Sequence, residues 1–205
     1  MTERTRAIEG LALAAALTAV FDAVHPLGDQ VVQNSHDATT KGMHGSHLVY
    51  RNDGSPVEEN PWRTGKEGRT CTASAYGRRS AARHVASYSG VQLASTIAVT
   101  RAMGYRVPLS ALLTGAAINA ITHGIIDRRT PLLWIADKAG KTGYIKHATV
   151  VRKAGGDGTE YPKPVQDDSG PGTALMEIDQ ALHRAIGLGA AVVTAWLTTR
   201  RATRK

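Results

Sequence analysis

The sequence predicts an all-α protein: a four-helix up-down bundle with transmembrane character and two long loops at one end. Three observations predict it. Four stretches of helical length, 7–25, 80–103, 108–127 and 174–198, are dominated by Ala, Leu, Ile and Val. The third lies in a run of 20 residues without a formal charge, Val107 to Ile126, about the length that crosses a bilayer. The ionisable residues of these stretches collect at their ends, as the pairs His25…Asp29, His123…Asp127 and, reversed, Asp179…His183.

Composition sets the frame. With 205 residues and 42% hydrophobic content the chain can bury one sizeable core, so 1–205 is read as a single helical domain. One Phe and 21 Gly, with abundant Ala, point to closely approaching helices. The single Cys71 permits no internal disulfide. The net charge is +8, with Arg4 and Arg6 near one end and the basic tail 199–205 at the other. Such ends suit anionic lipid headgroups or nucleic acid. No aromatic residues interleave with the tail, so membrane lipid is the expected partner and nucleic acid is not.

In chain order, the apolar run after Met1–Arg6 resembles a signal peptide, but no Ala-x-Ala site follows and His25 arrives directly behind it, so it reads as a retained helix. Pro26 biases His25 away from helical geometry, which predicts a kink or an end there. Residues 30–79 have loop composition, with turn signals at Asn52-Asp53-Gly54-Ser55-Pro56 and Asn60-Pro61. A connection this long is usually a lid or binding loop. Its His36, His44 and His47 are of a type more often solvated than metal-binding.

The second helix opens near Ser80 and carries His84 in its first turns. Gly104-Tyr105-Arg106-Val107-Pro108 is a short turn, with Pro just inside the third helix. Residues 128–173 form a second charged, Gly/Pro-rich connection, which includes Gly155-Gly156-Asp157-Gly158. Within it Leu132–Lys138 is expected as a short amphipathic helix, with Trp134 on an apolar surface. The fourth helix carries Glu177, Asp179 and His183 early and ends in Trp196.

A short turn between the second and third helices makes them antiparallel neighbours. If the whole bundle alternates, the end of the first helix, the start of the second, the end of the third and the start of the fourth meet at one end. His25, Asp29, His84, His123, Asp127, Asp179 and His183 fall at those places. His25/Asp29 recurring as His123/Asp127 also hints at two related hairpins. Taken singly, a histidine on an apolar helix is more often a satisfied core residue than a ligand, and Asp179 at a helix start favours the helix dipole. Jointly, ionisable groups confined to one end of apolar helices point to a site.

Four histidines and three carboxylates suit a divalent transition metal, Zn first and Mn or Fe next, better than Mg or Ca. Seven candidate ligands exceed one tetrahedral ion, which leaves open two metals, or one metal and a general base. The chemistry expected is hydrolysis of a lipid, ester or phosphoester, with Asp29, Asp179 and Lys41 as catalytic candidates. Lys41, Arg83, Arg128 and Arg129 lie near the same end, where such residues are more often ordinary basic flanks.

Several elements resemble the DUF3307 family of small bacterial and phage membrane proteins: His25-Pro26-Leu27-Gly28-Asp29 with Gln33 and Lys41 downstream, His84, Thr122-His123-Gly124-Ile125-Ile126-Asp127, and Asp179-Gln180-Ala181-Leu182-His183. The resemblance implies a helical membrane protein. A looser similarity to predicted membrane-bound metal-dependent hydrolases implies hydrolysis, without a substrate. Pro26 and the low hydrophobicity of the first two helices depart from the pattern. The rival readings are a non-enzymatic membrane or interaction module, in which the His/Asp pairs are interhelical hydrogen bonds, and a DNA-binding regulator, for which no helix-turn-helix pattern is visible. If the helices cross an inner membrane in several passes, the basic termini face the cytoplasm.

Overall fold

The computed structural model describes residues 2–153 and 164–201. The Gly155–Gly158 run and the tail beyond Arg201 lie outside the described residues. Most of the chain is helical, and four helices are long: α1 (Glu3–Pro26), α3 (Ala73–Ala102), α4 (Leu109–Ile126) and α7 (Ala174–Arg201). α1 packs on α7 and α3, and α4 packs on α7 and α3, so each long helix has two long neighbours.

Local chemistry sets where these helices begin. Thr2 caps α1 by accepting a hydrogen bond from the Thr5 N–H, and Glu3 lies in the first, dipole-favoured turn. α3 starts at Ala73 rather than near Ser80, because Thr72 is its cap and accepts from the Ala75 N–H. As expected, the α-helix ends at Pro26, although His25 stays helical and the helical path continues beyond the proline. α1 runs through it into a π-turn, Leu27–Val32, in which the Gln33 N–H reaches back to the Gly28 carbonyl. Proline withholds an N–H from the preceding turn, and the backbone accommodates this by widening immediately afterwards, a device common at functional sites.

The main core is the seam between α1 and α7, where Leu13, Leu17, Val20, Phe21 and Val24 meet Ala190, Ala191 and Ala195. Alanines on one side let the leucines of the other approach closely. α4 meets α7 through Gly115, whose missing side chain leaves room for the Thr194 hydroxyl, itself donating to the Ala190 carbonyl.

Neither long connection is structureless. The first contains α2 (Ser35–Thr40) and the antiparallel ribbon of β1 (Leu48–Tyr50) with β2 (Thr70–Thr72), paired Leu48 to Thr72 and Tyr50 to Thr70. The second contains α5 (Thr130–Lys138), α6 (Thr142–His147) and the antiparallel pair β3 (Val150–Lys153) and β4 (Pro164–Asp167). α5 buries Leu132 and Ala136 against Ile126, Ile145 and Leu175, whereas Trp134, expected on an apolar surface, is 62% exposed.

Among the described residues three helical stretches are long and apolar enough to cross a membrane: Glu3–Val32, Leu109–Ile126 and Ala174–Arg200. α3 is the exception. It carries Arg78, Arg79 and Arg83, and buries a polar stripe of Ser80, His84, Gln92, Thr96 and Thr100. The two threonines are satisfied within the helix, since Thr96 and Thr100 donate to the carbonyls of Gln92 and Thr96.

Candidate metal centre

The C-terminal ends of α1 and α4, the first turns of α7 and the interior of α3 bring seven ionisable side chains together; His84, expected in the first turns of its helix, lies about three turns inside α3 because that helix starts at Ala73. α1 supplies His25, the π-turn Asp29, α3 His84, α4 His123 with Asp127 at its C-cap, and α7 Asp179 and His183. His25, His84, His123, Asp127 and His183 are buried. The pairs at helical spacing close as their spacing suggests: His25 Nε2 to Asp29 Oδ2 is 3.5 Å, His123 Nε2 to Asp127 Oδ2 is 3.2 Å, and His183 Nδ1 to Asp179 Oδ2 is 3.4 Å. The widened turn after Pro26 is what carries Asp29 inward to the histidines of α3 and α4.

The tightest group has four donor atoms. His84 Nε2 lies 2.9 Å from His123 Nε2, 3.1 Å from Asp29 Oδ1 and 3.3 Å from Asp127 Oδ2. His123 Nε2 lies 3.5 Å from the same Asp29 oxygen and 3.2 Å from the same Asp127 oxygen. Donors held about 2.1 Å from a tetrahedral ion stand about 3.4 Å apart, so the separations among His84, His123 and Asp127 fit three ligands of one cation, and His25, Asp29 and His123 form a second group of three that could hold an ion. A pure hydrogen-bond network fits less well. Asp29 Oδ1, Asp127 Oδ2, His25 Nε2 and His183 Nε2 are all buried without a hydrogen-bond partner among the described residues, and such orphans call for an explanation.

The other oxygen of each carboxylate turns elsewhere. Asp29 Oδ2 faces His25 Nε2, and Asp127 Oδ1 lies 4.0 Å from His183 Nε2. The outer nitrogens of these two histidines are engaged: His183 Nδ1 lies 2.9 Å from the Asp179 carbonyl, and His25 Nδ1 lies 3.4 Å from the Tyr88 hydroxyl. Partners on Nδ1 leave Nε2 directed at the centre, the arrangement that orients metal-binding imidazoles.

Lys41, in the loop after α2, sets its ammonium 3.0 Å from Asp127 Oδ1. Burial pushes the Asp127 carboxyl up, but the close His123 imidazole and the charge of Lys41 outweigh burial and hold it below the usual carboxylate range. It is therefore an ionised acceptor. Arg128 is a strut rather than an ordinary flank, donating to the carbonyls of Lys41 and Met43, at 2.6 Å each. Gly77 makes this possible, because a side chain there would collide with the Arg128 guanidinium. Arg83 is likewise committed, pairing with the buried Asp37. His36 bonds Tyr76 and His44 meets Arg128, while His47 is exposed, so none of the three joins the centre.

Sequence reasoning missed Tyr88 and Asn119. The Tyr88 ring lies 4.2 Å from that of His123, and Gly28 packs so closely on it that a Cβ would overlap the ring. Asn119, one helical turn before His123, is buried with its Nδ2 unpartnered among the described residues. Their helical phase with His84 and His123 was the signal available.

A cavity of about 570 Å³ opens beside the centre, reaching Asp29, Asp127, Asp179, Lys41 and Arg129. No protein-family model, curated protein or solved structure matches the chain, so the resemblance to the DUF3307 family rests on its motifs alone.

Proposed function

We propose that this protein is a membrane-embedded, metal-dependent hydrolase built as an up-down four-helix bundle, and that its centre holds two divalent transition-metal ions, with zinc the best fit and manganese or iron next. One observation carries the reading: each of two carboxylates turns one oxygen to the His84/His123 pair and the other to His25 or His183. Bridging carboxylates between two histidine pairs are the expected ligand set of a two-metal site, and mixed imidazole and carboxylate donors favour such ions over calcium. Metal ions held there would acidify a water molecule and polarise the bond to be cut.

The residues around them have separate tasks. Asp179 holds His183 in orientation and borders the cavity, where it takes a proton from the attacking water. The water oxygen then bonds to the phosphorus or carbonyl carbon, the bond to the alcohol breaks, and the proton passes to the departing oxygen. Lys41 balances the carboxylates and hydrogen-bonds the charge that develops. The three apolar helices sit in the bilayer and α3 crosses with them, packed on α1 and α4, which puts both termini and the short turn at Gly104 on the cytoplasmic side.

Metal analysis of the full chain purified in detergent tests this. About two equivalents are expected, falling to one or none in His123→Ala and Asp127→Ala. Asp179→Asn keeps the metal and loses turnover of a chromogenic phosphoester by about 100-fold or more. If the variants lose thermal stability equally with and without added metal, and no metal is present in the wild type, the His/Asp pairs are structural.

A further inference from the structure

We infer that the substrate is a single-chain amphiphilic phosphate ester, taken directly from the bilayer, whose hydrocarbon chain lies in a groove between α1 and α7 while its phosphate meets the His/Asp centre. This rests on the hydrolase reading above and adds the substrate class. The centre forms part of the walls of two cavities of similar size. The first, of about 570 Å³, is bordered by Asp29, Asp127 and Asp179 and carries Lys41 and Arg129. The second, of about 610 Å³, closes on His25, Tyr88 and His183 and runs along Leu11, Ala15, Phe21, Leu188 and Val192. Polar chemistry therefore lies on one side of the metal-binding side chains and hydrocarbon on the other.

The dimensions fit one leaflet. At 1.5 Å per residue the groove wall on α1, from His25 back to Leu11, is about 21 Å long, and that on α7, from His183 to Val192, about 14 Å. Half of a bilayer's hydrocarbon core is about 15 Å deep. Both walls belong to stretches long and apolar enough to cross a membrane, so in a bilayer the groove opens to lipid chains rather than to water. The charged groups lining it, Asp22 and Arg184, lie beside His25 and His183 and pair with each other at 3.1 Å.

Charge favours an anionic head. Two divalent ions exceed the charge of Asp29, Asp127 and Asp179, and Lys41 adds to the excess. Arg129 stands at the cavity edge with a left-handed backbone, φ 58°, strained for a side chain of its size, and is paired there with Asp168 at 2.8 Å. A phosphate at the centre and a chain along α1 and α7 would place the scissile ester beside His25 and His183, where the groove closes on the metal-binding side chains.

The test uses the full chain at one fixed concentration of nonionic detergent, with butyl phosphate and dodecyl phosphate as probes in calorimetric titration. Wild type is expected to bind dodecyl phosphate about tenfold or more tighter than butyl phosphate. Ala15→Trp, at an exposed position on the groove wall, is expected to remove most of that difference while leaving butyl phosphate affinity and metal content unchanged. Leu188→Trp fills the groove from the opposite wall and should act alike, which guards against one variant failing to fold. Because the detergent is constant, partition of the probe into micelles cancels between variants. Equal binding of the two probes by wild type at equal free, non-micellar concentration, or undiminished dodecyl phosphate binding in both variants, overturns the groove. Chain-length discrimination that both variants abolish in a protein without metal supports the groove and overturns the metal reading, so the two failures are distinguishable.

Discussion

Gly28 shows how narrowly single residues govern the centre. It sits one position before Asp29 and lies against the Tyr88 ring, where any Cβ would overlap. Gly28→Ala must shift the π-turn or the ring, at about 1–3 kcal/mol, typical of overpacking. It is expected to lower metal content together with Tm, whereas Tyr88→Phe keeps the packing and should affect metal content less. Asp37 shows a purely structural use of charge. Burial pushes its carboxyl up, but hydrogen bonds from Arg83 and Asn34 outweigh this and hold it below the ordinary carboxylate value. Its folded pKa thus lies below its unfolded one, so its contribution is complete above about pH 4 and is lost as pH falls through the folded value. Asp37→Asn should cost about 1–3 kcal/mol at neutral pH and flatten that part of the acid-unfolding profile, measured by circular dichroism.

Helix pairs are held by small residues and by hydroxyls bonded to their own backbone. Gly115 of α4 faces Thr194 of α7, a buried side chain whose hydroxyl already serves the Ala190 carbonyl. Gly115→Leu is expected to lower Tm and to separate α4 from α7, moving Asp127 away from His183 and reducing metal occupancy. A conservative Ile121→Leu change on the exposed face of the same helix serves as control and should do neither. The same scale explains why α3 differs in composition from the other long helices. It adjoins both α1 and α4, buries His84 and Gln92, and carries the Arg83 that holds α2 in place. Its polarity reflects neighbours that only the packing reveals.

For the whole molecule the centre joins elements far apart in the chain, so metal should act as a cross-brace. Removing it with a chelator is expected to lower Tm measurably, with recovery on adding zinc and none in His84→Ala, because a ligand bound only by the folded state stabilises by mass action. Orientation is testable too. In a Cys71→Ser background, Lys66→Cys lies on the exposed β1–β2 connection at the motif end. An impermeant thiol reagent should label it from outside intact cells if the basic termini are cytoplasmic, and only after lysis if they are not.

The His/Asp pairs were legible in the chain because residues four apart on a helix share a face whatever surrounds them. The apolar stretches were legible because length and charge-free composition are local properties. Boundaries were less so: Thr72, inside a loop-like stretch, proved to be the α3 cap, and the α-helix that ends at Pro26 continues as a π-turn. The structured ribbons and short helices of the long connections were hidden as well, since their cores form only by long-range contact. Sequence alone thus determined which side chains were available and at which helix ends. Only the tertiary structure decided that Asp29 and Asp127 each address two histidine groups, that Arg128 holds the Lys41 loop, and that two cavities flank the centre. Those facts depend on the rotation and separation of helices distant in the chain, which no local spacing encodes.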